Sequence, residues 1–409
     1  MNSVYERIVA FNKDRLPDMV KLKFAGMAEN VYRFYRGTCH LFYEDFCKAE
    51  HIPESPLTWI CGDLHMENYG SYKGDNRLVY FDLNDFDESV LAPCLWEISR
   101  MVTSIFIAFD NIGIKAEKAT KMAEAYLKTY SARLATGKAL SIDPRIASGI
   151  VCTFLTKAEE RKQKDLVKKL TIQKKHRLCL VTDDRHFSID DKSYKKELTD
   201  FIDHWLESSA VKDYNYKVVD SAFRIAGTGS IGVKRYMFLL ESKKNGKYLL
   251  VDMKQAKPSS VQPYLSVKQP EWQNEATRVM QVKQRMQNVS PALLGTGVFK
   301  GDSYVIQEMQ PTEDRINFEM IKNRYDDIRL VTEDMALLTA SAQLRSTGRQ
   351  GSAIADKLIE FGYSNDWHEA ILNYAKKYAG QVKQDYEQYV SDYKAAQNAP
   401  KVSKRLIEK

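Results

Sequence analysis

No apolar run in the 409-residue sequence approaches the ~18 residues that a membrane-spanning helix needs. The best stretch, Met101 to Ile114, already contains Asp110 and Asn111, so no membrane span is expected. The opening segment MNSVYERIVAFNKDRLPDMV lacks a basic stretch followed by an apolar one. No secretory signal is therefore expected, and a cytoplasmic location is. Cysteine is sparse and scattered over Cys39, Cys47, Cys61, Cys94, Cys152 and Cys179. No two form a CxxC and none stands at zinc spacing from a histidine, which excludes a disulfide scaffold and a zinc finger. They are expected to be reduced thiols, most of them buried. Repeats and low-complexity tracts are missing, which excludes collagen-like and disordered classes. Charge of one sign is also scant. Sixty-one Lys and Arg against 54 Asp and Glu leave +7, which suits an anionic substrate but does not indicate nucleic acid.

What remains is an ordinary globular composition, 44% hydrophobic and 28% charged. The length corresponds to roughly two to three domains. Three textures divide the chain. Residues 1–210 are mainly helical, interrupted by short strands at Leu57 to Ile60 and Leu78 to Leu83. Residues 215–310 hold strand-like runs, YKVVD, AFRIAG, RYMFLLES, KYLLVDMK and YVIQEM, rich in β-branched and aromatic residues. The turn Lys244-Asn245-Gly246 joins two of them as a hairpin. A helix from about Glu271 to Asn288 interrupts them, with Trp272, Ala276, Val279 and Met286 on one face. Residues 311–409 are again helical. The basic stretch Lys157 to Arg177 carries interspersed acids and is expected to be a solvated helix.

Four clusters carry chemistry. Cys61-Gly62-Asp63-Leu64-His65-Met66-Glu67-Asn68 follows a strand, and its Asp63 and Asn68 stand five apart. Phosphoryl transfer needs a carboxylate that orients the nucleophile and an amide oxygen near the metal, and kinase catalytic loops place Asp and Asn at this spacing. Phe81-Asp82-Leu83-Asn84-Asp85-Phe86-Asp87-Glu88 gathers four acids at a strand end. Such a density of charge calls for a divalent cation, and oxygen ligands suit Mg²⁺. Gly227-Thr228-Gly229-Ser230-Ile231-Gly232 is followed by a strand, which disfavours a dinucleotide fold and fits a hairpin laid over phosphates. Val233 stands where a P-loop requires lysine. Lys254 lies within an apolar strand, and a buried ammonium there needs a partner. Glu275 on the next helix is the expected one, with Glu271 also in reach.

Taken together, FYRG (Phe34 to Gly37), CGDLHMENYG (Cys61 to Gly70), FDLNDFDE (Phe81 to Glu88), FRIAGTGSIG (Phe223 to Gly232) and VDMKQAK (Val251 to Lys257) resemble the bacterial domain-of-unknown-function family 2252. The likeness runs from about Phe24 to about Gly351. The two acidic motifs are in turn similar to the GDLHxxN and IDFDD signatures of aminoglycoside phosphotransferases and other small-molecule kinases. The resemblance implies an α+β, bilobal, protein-kinase-like fold with a small antiparallel β lobe and a large helical lobe. It implies Asp63, Lys254 and His65 as catalytic residues. Gly227, Thr228, Gly229, Ser230, Gly232, Lys254, Glu275, Gln307, Glu308 and Met309 would bind ATP. Asn68 and Asp85 would hold Mg²⁺, with Asp87 or Asp82 as a second carboxylate ligand. Trp96-Glu97-Ile98-Ser99-Arg100 is similar to the WDLAR segment that supports a catalytic loop. Two positions depart from the pattern. Asp252, on the same side of its strand as Lys254, stands where a small apolar residue usually faces adenine, and it would either bond the adenine amino group or exclude ATP. Gln281 stands in the helix where an acid is expected.

The order of the parts is inverted, since the glycine-rich hairpin and Lys254 follow the acidic loops. A circular permutation restores kinase order when 215–409 is read before 1–210. The expected function is an ATP- and Mg²⁺-dependent phosphotransferase with a small-molecule acceptor. The alternatives are a nucleotide-binding pseudokinase serving as an interaction module and a kinase-fold AMP transferase. A two-metal phosphoesterase is disfavoured, because no GDxxD or GNH loop accompanies GDLH. Arg33 and Arg36 would meet an anionic acceptor or pair with the acidic loop.

Overall fold

The computed structural model describes residues 3–175, 177–208, 215–309 and 315–398. Of the expected C-terminal helical segment, 311–314 and 399–409 lie outside the described residues. Helix makes up 49% and strand 18%, which fixes the class as mixed α+β.

The chain opens with α1 (Val4–Phe11), α2 (Pro17–Met27), α3 (Val31–Gly37) and α4 (Cys39–Phe46). Ser3 and Glu6 form a reciprocal capping box on α1, and Pro17 begins α2 where a missing N–H costs nothing. Four short strands follow: β1 (Leu57–Ile60), β2 (Tyr69–Lys73), β3 (Val79–Leu83) and β4 (Val90–Pro93). They pair antiparallel as β1 with β4 and β2 with β3, and so hold both acidic loops between them. Next come α5 (Cys94–Asn111), α6 (Ala116–Ala135), α7 (Gly149–Glu160) and α8 (Gln163–Leu170), then β5 (Thr171–Lys174), β6 (Arg177–Leu180), β7 (His186–Phe187) and α9 (Lys192–Ser208). The β-rich stretch contains β8 (Tyr216–Arg224), β9 (Arg235–Ser242), β10 (Tyr248–Gln255), α10 (Glu275–Met286), β11 (Gly295–Phe299) and β12 (Asp302–Glu308). The chain ends in α11 (Tyr325–Arg345), α12 (Ala355–Tyr363) and α13 (His368–Asn398).

One six-stranded antiparallel sheet runs β11-β12-β10-β9-β8-β7. Within β8 to β12 the spatial order is first, second, third, fifth, fourth, and α10 lies between the third and fourth in sequence. Alternation along β10 sorts its side chains onto two faces. Leu249, Val251 and Met253 join Leu198, Ile202 and Leu206 of α9 in one apolar cluster. Leu250, on the other face, packs with Met237, Ala222 and with Val167 and Leu170 of α8. Most of the remaining buried apolar residues form one large cluster, which includes Ala276, Val279, Val282 and Met286 of α10. It draws on α1 to α7 at one end of the chain and α11 to α13 at the other, so both terminal segments share a core.

The boundary expected near residue 210 is therefore displaced. Residues 163–208 pack with the sheet and not with the helical body. The basic stretch 157–177 is not one solvated helix but the end of α7, all of α8 and the first strand of a hairpin. The reason is the i, i+4, i+8 stripe of α9, whose apolar face finds its cover only on the sheet. The helix expected from Glu271 begins instead at Glu275, where Asn274 caps it by accepting the Thr277 amide at 2.9 Å.

Candidate functional site

The loop after β1 turns sharply because Gly62 has φ +85°. A Cβ there would stand 2.2 Å from the Glu88 carbonyl oxygen, so the two acidic loops touch only because the residue is glycine. Glu97, fully buried in the first turn of α5, accepts the Cys61 amide at 2.7 Å and the Gly62 amide at 3.3 Å. Its other oxygen accepts from Gln343 Nε2 at 3.1 Å. Replacing Gly62 with Ala is expected to cost about 2–4 kcal/mol through backbone strain and displacement of the Glu88 segment. Urea denaturation of the variant checks this, and a midpoint equal to that of the original protein would contradict it.

Asp63 faces the cleft from this loop. Its Oδ1 accepts from Arg100 Nε at 2.8 Å and Nη2 at 2.5 Å, and Arg100 is itself fully buried against the Tyr35 ring. Oδ2 points toward Gly229, where a Cβ would lie 3.8 Å away. His65 is buried, and burial first, then the charges of Arg36 and Arg100, push its pKa well below the usual value. Its ring nitrogens lie 3.2 Å from Arg36 Nε and 3.1 Å from the Glu67 amide. Both neighbours are donors, and a neutral ring accepts from only one of them, so His65 sits as a buried acceptor and is poorly suited to shuttle protons. Arg36 and Arg315 both pair with Glu67, while Arg33 pairs with Glu29 away from the cleft.

The second acidic loop meets the sheet. Lys254 Nζ is ion-paired with Asp87 and lies 3.7 Å from Asp85 Oδ2. Burial disfavours its charge, but Asp85 and Asp87 outweigh that and raise its pKa. Burial pushes the Asp85 carboxyl up too, yet Lys254, backed by Lys283 and Arg235, brings it below the ordinary range. Asp85 is surrounded by protein but keeps 56% of its side chain open to the cleft. Asn68 knits the two loops: its Oδ1 accepts the Asp85 amide at 2.8 Å, and its Nδ2 donates to the Asp63 and Asp85 carbonyls, each at 3.2 Å. It braces the acidic loops more than it presents an oxygen to the cleft.

Asp82 does not join this group. It is 1% exposed on β3, and it accepts the amide of Leu83 at 2.9 Å and lies 3.8 Å from Arg345. Burial holds its carboxyl up at about 6, in spite of Arg345. Among the described residues no three His, Cys, Asp or Glu side chains cluster to form a protein-only metal cage. Asp85 and Asp87 supply two carboxylates, the number that Mg²⁺ typically takes alongside phosphate oxygens, so the donor set fits that ion.

The glycine-rich segment 227–232 is the tip joining β8 to β9 and folds down over Asp63. It is held there from below. Arg15 Nη1 donates to the carbonyls of Gly229 at 2.6 Å and Ile231 at 2.8 Å, and the Leu16 amide donates to that of Gly232 at 3.0 Å. Lys23, 1% exposed, donates to the Gly229 carbonyl at 3.1 Å. Thr228 is buried, and Ser230 Oγ donates to the Ala226 carbonyl at 2.7 Å. Beneath this tip lies a cavity of about 90 Å³ that Asp63, Asp85, Asp87 and Glu88 share with Arg15 and Lys23.

Four expected nucleotide contacts are engaged elsewhere. Glu275 does not reach Lys254, because its carboxylate accepts from Arg278 Nε at 2.6 Å. Gln307 Oε1 accepts from Lys283 at 3.1 Å, and Glu308 pairs with Arg77 at 2.6 Å. The Met309 amide donates to the Leu250 carbonyl at 2.8 Å, and its carbonyl accepts from Gln163 Nε2 at 3.0 Å. Gln281, where an acid was expected, accepts from Arg285 Nη2 at 3.0 Å. Two residues on, Lys283 is buried, and burial pushes it down to about 8 although Asp85 opposes this.

Sequence reasoning passed over Lys283, Arg235 and Arg278. Arg278 ties α10 to the second acidic loop, donating to the carbonyls of Ser89 at 2.5 Å, Asp87 at 2.9 Å and Lys257 at 3.0 Å. The one available signal was their placement: Arg235 stands three residues after the glycine-rich segment, and Arg278 lies one turn after Glu275.

Fold and site together define a mixed α+β protein in which two acidic loops of a helical body meet a lysine on an antiparallel sheet. A family model described as an uncharacterized protein conserved in bacteria (DUF2252) matches residues 15–392, and the chain belongs to that family. No curated protein and no solved structure matches it.

Proposed function

We propose that the chain is a magnesium-dependent phosphotransferase of circularly permuted, kinase-like fold, with ATP as donor and a cytoplasmic small molecule as acceptor. The observation that carries this reading is the meeting of Lys254 with Asp85 and Asp87 on the cleft that Asp63 also faces. Three further features support it. A glycine-rich tip joins the first two strands of the sheet unit, the lysine lies on the third, and a helix follows, which is the order in a kinase small lobe. Taking 215–398 before 3–208 puts the acidic loops after them. The helical body and the sheet unit are then the two lobes.

In this reading Lys254 holds donor phosphate oxygens, and the amides of 227–232 approach them where no Cβ intervenes. Asp85 and Asp87 would hold Mg²⁺, which neutralises charge on the transferred phosphoryl group. Asp63 Oδ2 orients the acceptor hydroxyl and takes its proton, while Arg100 fixes the carboxylate through Oδ1. ATP with Mg²⁺ is expected to raise the melting temperature, by the equivalent of about 2.7 kcal/mol at a hundredfold excess over Kd. Lys254→Met should abolish the shift. No shift with ATP, GTP or ADP under any divalent cation would refute nucleotide binding.

A further inference from the structure

A donor whose phosphates lie between Lys254 and Asp85 has two directions in which to extend. One runs outward along the face of β10 that carries Lys254, past Asp252 toward Leu250. That way is filled. Asp252, 3% exposed, accepts from Arg235 Nε at 2.8 Å and from Arg224 Nη1 at 2.7 Å. Arg235 lies opposite Lys254 in the register, and Arg224 is the last residue of β8. Burial pushes the Asp252 carboxyl up, but the two guanidinium groups hold it at about 2, so the triad stays charged and closed. The void left against Arg224 and Arg235 is about 10 Å³, room for one water molecule. Farther out, Leu250 is sealed by Val167 and Leu170 of α8. Reading the edge of a base needs a free donor and acceptor. At the end of β12, the Met309 amide and carbonyl are both already bonded within the protein.

The other direction runs inward, toward Asp63. There the cavity sets the cations Arg15, Lys23, Arg36 and Lys257 against the four carboxylates of the acidic loops, beneath the glycine-rich tip and beside Phe11 and Val233, and it touches neither Asp252 nor Met309. At about 90 Å³ it is smaller than the ~150 Å³ cavity that takes a benzene ring, so a base has no room there beside the phosphates.

We propose that the protein recognises its donor by the triphosphate chain alone and does not read a nucleobase, an inference that rests on the phosphotransferase reading and narrows it. The ligand class is a linear triphosphate with magnesium, whether nucleoside-linked or inorganic. Calorimetric titration of the full chain, in the presence of Mg²⁺, with ATP, GTP, CTP, UTP and inorganic tripolyphosphate tests this. Dissociation constants within about threefold of one another are expected, with adenosine not binding. Lys254→Met should weaken all five in parallel, which places binding in the cleft and not on the basic surface. A preference of about tenfold or more for one base, or failure of tripolyphosphate to bind, overturns the inference and leaves the phosphotransferase reading standing. Affinities that Lys254→Met leaves unchanged overturn the inference as well. Failure of every triphosphate to bind overturns both.

Discussion

Asp63→Asn is expected to stop transfer while sparing donor binding, and Asp85→Asn to do the reverse to binding. An amide in place of Asp63 cannot take the acceptor's proton, which lowers the rate by about 10²–10⁴-fold. It also leaves Arg100, fully buried, without its counter-charge, and stability should fall by about 3 kcal/mol. Asp85 keeps more than half its side chain open and shares its charge with Asp87 two residues on, so its replacement should cost little stability. It removes one of two candidate metal ligands, and magnesium-dependent donor affinity should drop at least about tenfold. Calorimetry with ATP at fixed Mg²⁺, beside urea denaturation of each variant, separates the two effects. Equal metal-dependent affinity in both variants would mean that the assignment of ligand and base is wrong.

The second large effect is expected at Arg278. Its side chain is 3% exposed and donates to the main chain on both sides of the cleft, at Asp87 and Ser89 and at Lys257. Arg278→Met leaves those carbonyls without their cation and Glu275 without its partner. Loss of such a buried charge costs about 3–5 kcal/mol. Lysine should recover less than half of it, because a single ammonium cannot span the carbonyls that the planar fork reaches. Donor affinity should fall too, since the Asp85–Asp87 segment hangs from this arginine. Urea midpoints for the two variants check the order, and a methionine variant within about 1 kcal/mol of the original would contradict the role.

The parts of the site that were legible in the sequence are contiguous ones. Asp63 with Asn68, the acids from Asp82 to Glu88, and the glycine-rich tip each lie within eight residues, so their chemistry shows before any fold is known. Strands β1 and β3 were legible for the same reason, as short apolar runs beside turns. What escaped depends on register and long-range packing. Glu275 stood on the helix that follows Lys254, but the acids that the lysine meets lie about 170 residues upstream, on another element. Asp252 showed as a misfit beside Lys254. Its partners, Arg224 and Arg235, come into view only once β8, β9 and β10 are aligned. The stripe Leu198, Ile202 and Leu206 carries the i, i+4, i+8 spacing of an amphipathic helix, but the surface that covers it is set by long-range packing. Asp82 is buried because every residue of β3 is buried, so both faces of that strand are covered, whereas a loop carries Asp85.

In the proposed mechanism Asp85, Asp87 and Lys254 hold one metal–triphosphate unit. Electron–nuclear double resonance on the protein with Mn²⁺ in place of Mg²⁺ and ATP in excess reads this contact directly. Phosphorus hyperfine couplings from phosphates bound to the manganese within the protein complex are expected, lost in Asp85→Asn and altered in Lys254→Met. Manganese that binds the protein without phosphorus coupling, or with coupling that neither substitution changes, would contradict this mechanism.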